Sequence, residues 1–213
     1  MEHIHHWHND TLGRKVVKAL EKNQFHAIYV DTKEEAENFI MYHIKSGDNI
    51  AFGGSQTIKA MNLKRKIREL GGNIIDHGEE GLNKEEKLSV MRKELISDLF
   101  LCSSNAITLD GKLVNIDGAG NRVAAMSFGP KKVIIVAGIN KIVENVEEGF
   151  KRIQNNVAPK NCKRLGVKNP CVIEGTCVNC NSQSRICRIS SVITKRPMQS
   201  DISVIIVGEE LGY

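Results

Sequence analysis

Short apolar segments alternate with amphipathic segments along most of the chain, and this alternation constrains the fold more than any other feature of the sequence. Strands separated by helices of ~10–15 residues are typical of parallel pairing, because the chain must cross over between successive strands. The segment 133–137 is apolar at every position, as expected of a strand covered on both faces. The strand-like segments are 25–30, 49–52, 73–76, 99–103, 133–137 and 203–207. We therefore predict an α/β protein with a layered, mostly parallel sheet.

The first ten residues differ in composition from the rest of the chain, with histidines at positions 3, 5, 6 and 8 among polar neighbours. Closely spaced imidazoles can chelate a metal, but we favour an exposed, flexible tail over residues 1–10. A helical period begins at Asp10 or Thr11, and Thr32 with Glu35 forms the capping box of a second helix. We predict a single α/β domain over residues 11–213.

Charge and composition argue against several classes of function. The net charge of +5 is small and dispersed, and the chain has three tyrosines and one tryptophan, which argues against a nucleic-acid partner. No apolar run approaches the ~20 residues of a membrane-spanning helix, and residues 1–9 lack the apolar core of a secretory signal. We expect a cytoplasmic protein, and the sequence leaves a homo-oligomer open.

The segment 104–141 holds most of the polar residues that we assign to a site. Its first part alternates apolar and polar residues around Asp110-Gly111, which predicts a β-hairpin with a type I′ turn. A glycine-rich loop, Asp117 to Arg122, follows and precedes a helix-like segment. Such a loop is suited to holding a polar group.

A second glycine-rich loop, Gly53 to Thr57, connects a strand to a helix, a geometry in which backbone N–H groups meet an anion. A tight turn with Ser55 as an N-cap is the alternative. The carboxyl ends of parallel strands share one sheet edge, where Arg122 and Lys141 would attract a small anionic molecule. The predicted ligand-binding residues are Gly53, Gly54, Ser55, Thr57, Asn105, Thr108, Gly118, Gly120, Asn121, Arg122, Asn140 and Lys141.

Asp117 is the one candidate catalytic residue that the sequence offers. Its carboxylate is suited to act as a general base or to orient a cation, and the alternative is a structural pair with Arg122 that braces the loop. No spacing along the chain predicts a nucleophile with a base and an orienting residue, so the sequence does not establish that the chain is an enzyme.

Four of the six cysteines lie within 17 residues, which in a cytosolic protein favours a metal site over disulfides. The Cys177-x2-Cys180 pair is a short chelate, and Cys171 and Cys187 would complete four thiolate ligands for zinc or an iron–sulfur cluster. Unliganded cysteines in a surface excursion are the alternative. Cys162 is a substitute outer ligand. We assign residues 159–190 to a cysteine-rich insert.

Several motifs together resemble the LUD-domain family, which takes its name from lactate utilisation, over residues 12–213. The motifs are GGSQT at 53–57, SNAITLDG at 104–111, NIDGAGNRV at 115–123, GINKIV at 138–143, APKNCKRL at 158–165 and GEELGY at 208–213. The resemblance implies a fold of the glucosamine-phosphate isomerase, ribose-phosphate isomerase and CoA-transferase type. Asp117-Gly118-Ala119 is similar to a ribose-phosphate isomerase motif, but Asn121 and Arg122 follow where acidic residues are expected, which argues against isomerase chemistry.

The resemblance also implies a role beside iron–sulfur subunits that oxidise L-lactate to pyruvate, in which this chain would be the small LUD-only subunit. Two other hypotheses remain from the residues themselves. One is a stand-alone enzyme or binding protein for a phosphorylated or CoA-linked small molecule. The other is a metal-binding interaction module that uses the cysteine segment.

Overall fold

A six-stranded, entirely parallel sheet forms the centre of the protein in the computed structural model, which describes residues 2–213. The strands are β1 (His26–Val30), β2 (Asn49–Phe52), β3 (Asn73–Ile75), β4 (Leu99–Cys102), β5 (Ala106–Thr108), β6 (Leu113–Asp117), β7 (Lys132–Gly138), β8 (Ile142–Val143), β9 (Ile189–Ile193) and β10 (Asp201–Val207). Their order in the central sheet is β1-β10-β7-β4-β2-β3. The prediction of a layered, mostly parallel α/β fold is confirmed.

Helices cover both faces of this sheet. They are α1 (Glu2–Lys22), α2 (Lys33–Tyr42), α3 (Gln56–Ala60), α4 (Lys64–Glu69), α5 (Lys84–Glu94), α6 (Asn121–Ser127), α7 (Val146–Arg152), α8 (Ala158–Arg164) and α9 (Cys171–Glu174). The capping box at the start of α2 is present as predicted, with Thr32 accepting from the Glu35 N–H. None of the helices among residues 2–213 has the length and hydropathy of a membrane-spanning segment.

The apolar core lies in two layers, one on each face of the central sheet. In β7, Val133, Ile135 and Ala137 pack with α1 and α6, whereas Ile134 and Val136 pack with α2, α3 and α4. Successive strand residues point to opposite faces, so a strand between two helical layers must be apolar at every position. This is the physical reason for the continuous apolar run.

A second, four-stranded sheet, which the sequence did not predict, has the order β8-β5-β6-β9 and contains the predicted hairpin β5–β6. The prediction of a type I′ turn is wrong. Gly111 has a φ of +77°, but Asp110 is not among the positive-φ residues. The Gly111 N–H donates to Thr108 O at 2.9 Å. Leu109 and Asp110 are therefore the central residues of the turn, and Gly111 follows them in the left-handed conformation.

The amino-terminal prediction is corrected for residues 2–10. Helix α1 begins at Glu2 rather than at Asp10 or Thr11, so residues 2–10, which we predicted as an exposed, flexible tail, are helical; Met1 lies outside the described residues. His3, His5, His6 and His8 are exposed on this helix. A metal at these histidines stays an untested expectation.

The start of the predicted cysteine-rich insert is also helical. Helices α7 and α8 join through one π-helical segment, Ile153–Val157. Pro159 lies in the first turn of α8 and has no N–H to donate to the preceding turn. The wider π turn accommodates the proline without ending the helix. The irregular excursion therefore begins after Arg164, and β9 follows it.

Candidate functional site

One cleft of about 320 Å³ lies at the carboxyl edge of the central sheet. The chain segments that follow β2, β4 and β7 meet there, as expected of a ligand site in a parallel sheet. The predicted residues that line the cleft are Gly53, Gly54, Ser55, Thr57, Asn105, Asp117, Gly118, Asn121, Arg122 and Lys141. The structure thus brings two separate glycine-rich loops and both predicted cations to one place.

Three predicted residues lie outside the lining of this cleft. Thr108 is buried at the hairpin turn, where its hydroxyl bonds Asp110 and accepts the Lys112 N–H at 2.9 Å. Gly120 is the N-cap of α6. Asn140 uses its amide oxygen to accept the Leu211 N–H at 3.2 Å. These residues support the loops and are not assigned to the ligand.

Lys141 is the most unusual group in the cleft, because its side chain is a buried cation that is only 4% exposed as a residue. Its Nζ donates to Thr57 Oγ1 at 2.7 Å and to Ser103 Oγ at 2.9 Å. Among residues 2–213, no carboxylate lies within 4.0 Å of this ammonium group. Burial, followed by the charges of Arg152 and Arg122, lowers the pKa of Lys141 to about 7.

Arg122 differs from Lys141 because protein groups satisfy its guanidinium. It donates to Asp117 Oδ1 at 2.6 and 3.1 Å, to Asn115 Oδ1 at 2.5 Å and to Ser103 O at 2.8 Å. The other carboxylate oxygen of Asp117 accepts the Val123 N–H at 3.0 Å. These contacts are those of the structural brace, the alternative that the sequence left open. Both oxygens of the Asp117 carboxylate therefore accept hydrogen bonds from protein groups.

His77 is a cleft residue that sequence reasoning missed. Its Nδ1 lies 2.6 Å from Oε1 of Glu94, whose side chain is fully buried. The side-chain amide of Asn121 donates a hydrogen bond to the other carboxylate oxygen of Glu94, Oε2, at 3.1 Å. The hydrogen bond to Glu94 is the main reason that the pKa of His77 is raised above its usual 6.5, against the opposing effect of burial. Nε2 faces Gly54, since a Cβ built on that glycine would lie 3.3 Å from it.

The arrangement of His77 and Glu94 is suited to proton transfer, because a carboxylate orients the imidazole and leaves the other nitrogen toward the cleft. His77 is the second residue after β3, so the rule that polar residues at strand carboxyl ends form sites could have found it. Glu94 lies 17 positions further along the chain, at the end of α5. No local pattern indicates that pairing.

Tyr213 of the cleft lining and Arg152, which lies outside the lining, come from distant segments. Tyr213 lines the cleft, and its buried hydroxyl has no hydrogen-bond partner among residues 2–213. Arg152 braces the cleft from behind, since it donates to Asn105 O at 2.7 Å and to Asn140 O at 3.1 Å. The π-helical residues Ile153 and Val157 form an apolar part of the lining.

A second, much smaller cavity of about 20 Å³ lies among the cysteines. The predicted set, Cys171, Cys177, Cys180 and Cys187, lines it together with Cys162. All of these cysteines are free, and Cys102 is separate in the core of β4. Burial raises the pKa of both Cys171 and Cys187 to about 11.

The fold and the cleft together define the class of protein. The central parallel sheet is covered by helices on both faces and joined to a smaller, four-stranded sheet. The model of the LUD domain matches residues 13–207, and the chain belongs to the LUD-domain family.

One solved structure supports the fold. A DUF162 family protein from Deinococcus radiodurans is similar, with a TM-score of 0.53 and 14% identity, and the match covers 93% of this chain and 98% of that one. eIF2B beta from Chaetomium thermophilum is a weaker match, with a TM-score of 0.37, 17% identity, and coverage of 54% of this chain and 44% of that one. No curated protein matches the sequence.

Proposed function

We propose that this LUD-domain protein binds a small anionic hydroxy acid in the cleft, as a subunit or accessory protein of a cytoplasmic L-lactate oxidation system that contains iron–sulfur subunits. The observation that supports this ligand class is the buried ammonium group of Lys141, which has no carboxylate within 4.0 Å among the described residues. Family membership supports the lactate system, because the family takes its name from lactate utilisation.

The buried charge of Lys141 favours an anionic ligand on energetic grounds. An ammonium group removed from water is costly unless it is paired. Lys141 has three N–H donors, of which the hydroxyls of Thr57 and Ser103 accept two. A ligand carboxylate in the cleft would accept the third and compensate the charge. The free hydroxyl of Tyr213 is suited to a further ligand oxygen.

Ligand binding is tested by isothermal titration with L-lactate, pyruvate and uncharged lactamide. We expect the two acids to bind and lactamide not to bind. Binding should be tighter at pH 6 than at pH 8, because Lys141 carries its charge only below its pKa of about 7. Lys141→Met should abolish binding, whereas Lys59→Met, at an exposed lysine beyond the loop, should retain it. Equal binding by Lys141→Met would refute the assignment.

The lactate system is tested separately by deleting the gene and measuring growth on L-lactate. We expect loss of growth on lactate with normal growth on glucose, and restoration by the wild-type gene. Unaltered growth on lactate would contradict this part of the proposal and leave anion binding intact.

A second candidate function is a stand-alone enzyme that moves a proton on a phosphorylated or CoA-linked substrate. His77 with Glu94 favours it, because the pair has the geometry of an oriented acid–base group. The cleft volume of about 320 Å³ also exceeds the needs of a three-carbon acid. Proton NMR in D₂O with sugar phosphates and acyl-CoA esters would detect exchange next to the carbonyl. His77→Gln should abolish exchange, and no exchange with any compound would count against this function.

A further inference from the structure

We propose that four of the five cysteines Cys162, Cys171, Cys177, Cys180 and Cys187 hold a thiolate-ligated metal centre that forms part of the wall of the anion cleft. The metal is of the thiophilic class, a Zn²⁺ ion or an iron–sulfur cluster. The proposal concerns residues that do not contact Lys141, so it stands or falls independently of the ligand in the cleft.

The convergence of the cysteines is the first observation. Cys162 belongs to α8 and Cys171 to α9, while the other three come from the irregular segment before β9. All five nevertheless line one cavity of about 20 Å³, and none is in a disulfide. No three of their sulfur atoms lie within 4.8 Å of one another, so a bound metal would have to draw its ligands together. Their shared property is affinity for soft metals.

The sulfur atoms already have the outer contacts that metal thiolates use. Cys177 Sγ accepts the N–H of Asn179 at 3.3 Å, within the Cys-x2-Cys turn, and Asn179 has a φ of +47°. Cys162 Sγ accepts from the buried Asn169 amide at 3.4 Å. Hydrogen bonds of this kind stabilise negative charge on sulfur and orient the ligands of a metal.

Arg185 supplies a cation and a clamp beside the same thiols. Its guanidinium donates to Cys187 O at 2.7 Å, to Cys180 O at 2.5 Å and to Asn179 Oδ1 at 3.1 Å. The contacts hold the two chain segments that carry Cys180 and Cys187 at one separation.

The segment has little else to order it. Between Arg164 and β9 the one regular element is the four-residue helix α9, and most residues from 173 to 190 are exposed or half-buried. Short segments without an apolar core commonly depend on a metal for their structure. Metal binding would therefore contribute directly to the folding of this part of the chain.

The position next to the cleft connects the metal centre with the site. Cys187, Ile186 and Ala158 line both cavities. A Cβ on Gly118 would lie 3.0 Å from Ile186 O, so the cysteine segment packs directly on the Asp117 loop. A metal bound in the cysteine cavity would thus determine the position of Ile186 and Cys187 in the lining of the anion cleft.

Elemental analysis and an absorption spectrum of the full chain, purified without oxygen, test the proposal. We expect about one zinc per chain with a featureless visible spectrum, or iron with sulfide and a broad band near ~400 nm; the first identifies a zinc site and the second an iron–sulfur cluster. Cys177→Ser should lose at least half of the metal. Cys102→Ala, at the cysteine in β4, should retain the wild-type content.

Limited trypsin digestion distinguishes loss of metal from general misfolding. Metal removal should expose Arg185 and Arg188 to cleavage while the rest of the chain stays resistant and far-UV circular dichroism is unchanged. Less than a tenth of a metal per chain, both as purified and after incubation with zinc or with iron and sulfide, would overturn the proposal. So would wild-type metal content in both Cys177→Ser and the double variant Cys177→Ser/Cys180→Ser.

Discussion

Replacing Lys141 with methionine should stabilise the protein against unfolding, and the gain should shrink as the pH rises. Methionine is close to lysine in length and lacks the charge that burial penalises. The variant keeps Thr57 and Ser103, whose hydroxyls have backbone carbonyls as other acceptors at 3.2 Å. The prediction therefore isolates the cost of the buried ammonium group.

The magnitude follows from the pKa of Lys141, which falls from 10.5 to about 7 because the side chain is buried beside two arginines. Between these two values the unfolded chain holds a proton that the folded chain releases, so wild-type stability rises with pH. At about 1.4 kcal/mol per pKa unit, the penalty is on the order of 4 kcal/mol at pH 7 and roughly 2 kcal/mol at pH 9. The advantage of the variant should fall by the same difference.

Urea unfolding followed by far-UV circular dichroism at pH 7 and pH 9 measures both values. Lys59→Met is the matched control, because Lys59 is exposed and its replacement should change the free energy of unfolding by less than about 0.5 kcal/mol. If Lys141→Met is no more stable than wild type at pH 7, or if its advantage is equal at the two pH values, the ammonium group is already compensated and the argument for an anion fails.

Three other changes test the supporting contacts. His77→Gln should lower the free energy of unfolding by about 2 kcal/mol at pH 5.5 and by much less at pH 8.5. The raised pKa of His77 contributes stability below the unfolded pKa of 6.5, and this stability is lost as the pH rises through the folded pKa. An equal effect in urea unfolding at both pH values would contradict the pairing with Glu94. Arg122→Met leaves the Asp117 carboxylate buried without its partner and should lower the free energy of unfolding by about 3–5 kcal/mol, which calorimetry would detect as a fall of roughly 10 °C in Tm. The Tm of the control variant Arg164→Met, at an exposed arginine, should fall by less than ~2 °C. Similar Tm values for the two variants would contradict the bracing role of Arg122. Gly118→Val should displace Ile186 and speed tryptic cleavage after Arg185 severalfold, whereas Ala119→Val, at an exposed position, should leave the cleavage rate unchanged. Equal cleavage rates in the two variants would show that the cysteine segment does not pack on this loop.

The site could be predicted in part because its position follows from the sheet. Gly53–Thr57, Asn105 and Lys141 follow the parallel strands β2, β4 and β7, so one rule about strand ends brings them together. Arg122 follows β6 of the second sheet, which that rule does not cover. The same rule applied to β3 would have added His77. It also included Thr108 and Asn140, because neighbourhood along the chain does not determine which side chains turn toward the cleft.

The chemistry of the site could not be predicted in the same way. Whether Arg122 holds a ligand or Asp117 depends on how the hairpin and α6 pack, and the structure gives the guanidinium five protein acceptors. The carboxylate that orients His77 comes from the end of another helix. Burial of Lys141 depends on the last residues of the chain, since a Cβ on Gly212 would lie 3.5 Å from its Nζ.

The sequence by itself determined the parallel α/β sheet, the hairpin and the capping box at Thr32, because periodicity, turn residues and caps act over a few neighbouring residues. The tertiary structure alone decided the pairing of His77 with Glu94, the low pKa of Lys141 and the convergence of Cys162 with the four later cysteines. Each of these depends on atoms brought together from distant parts of the chain, and desolvation and charge pairing act through space and not along the sequence.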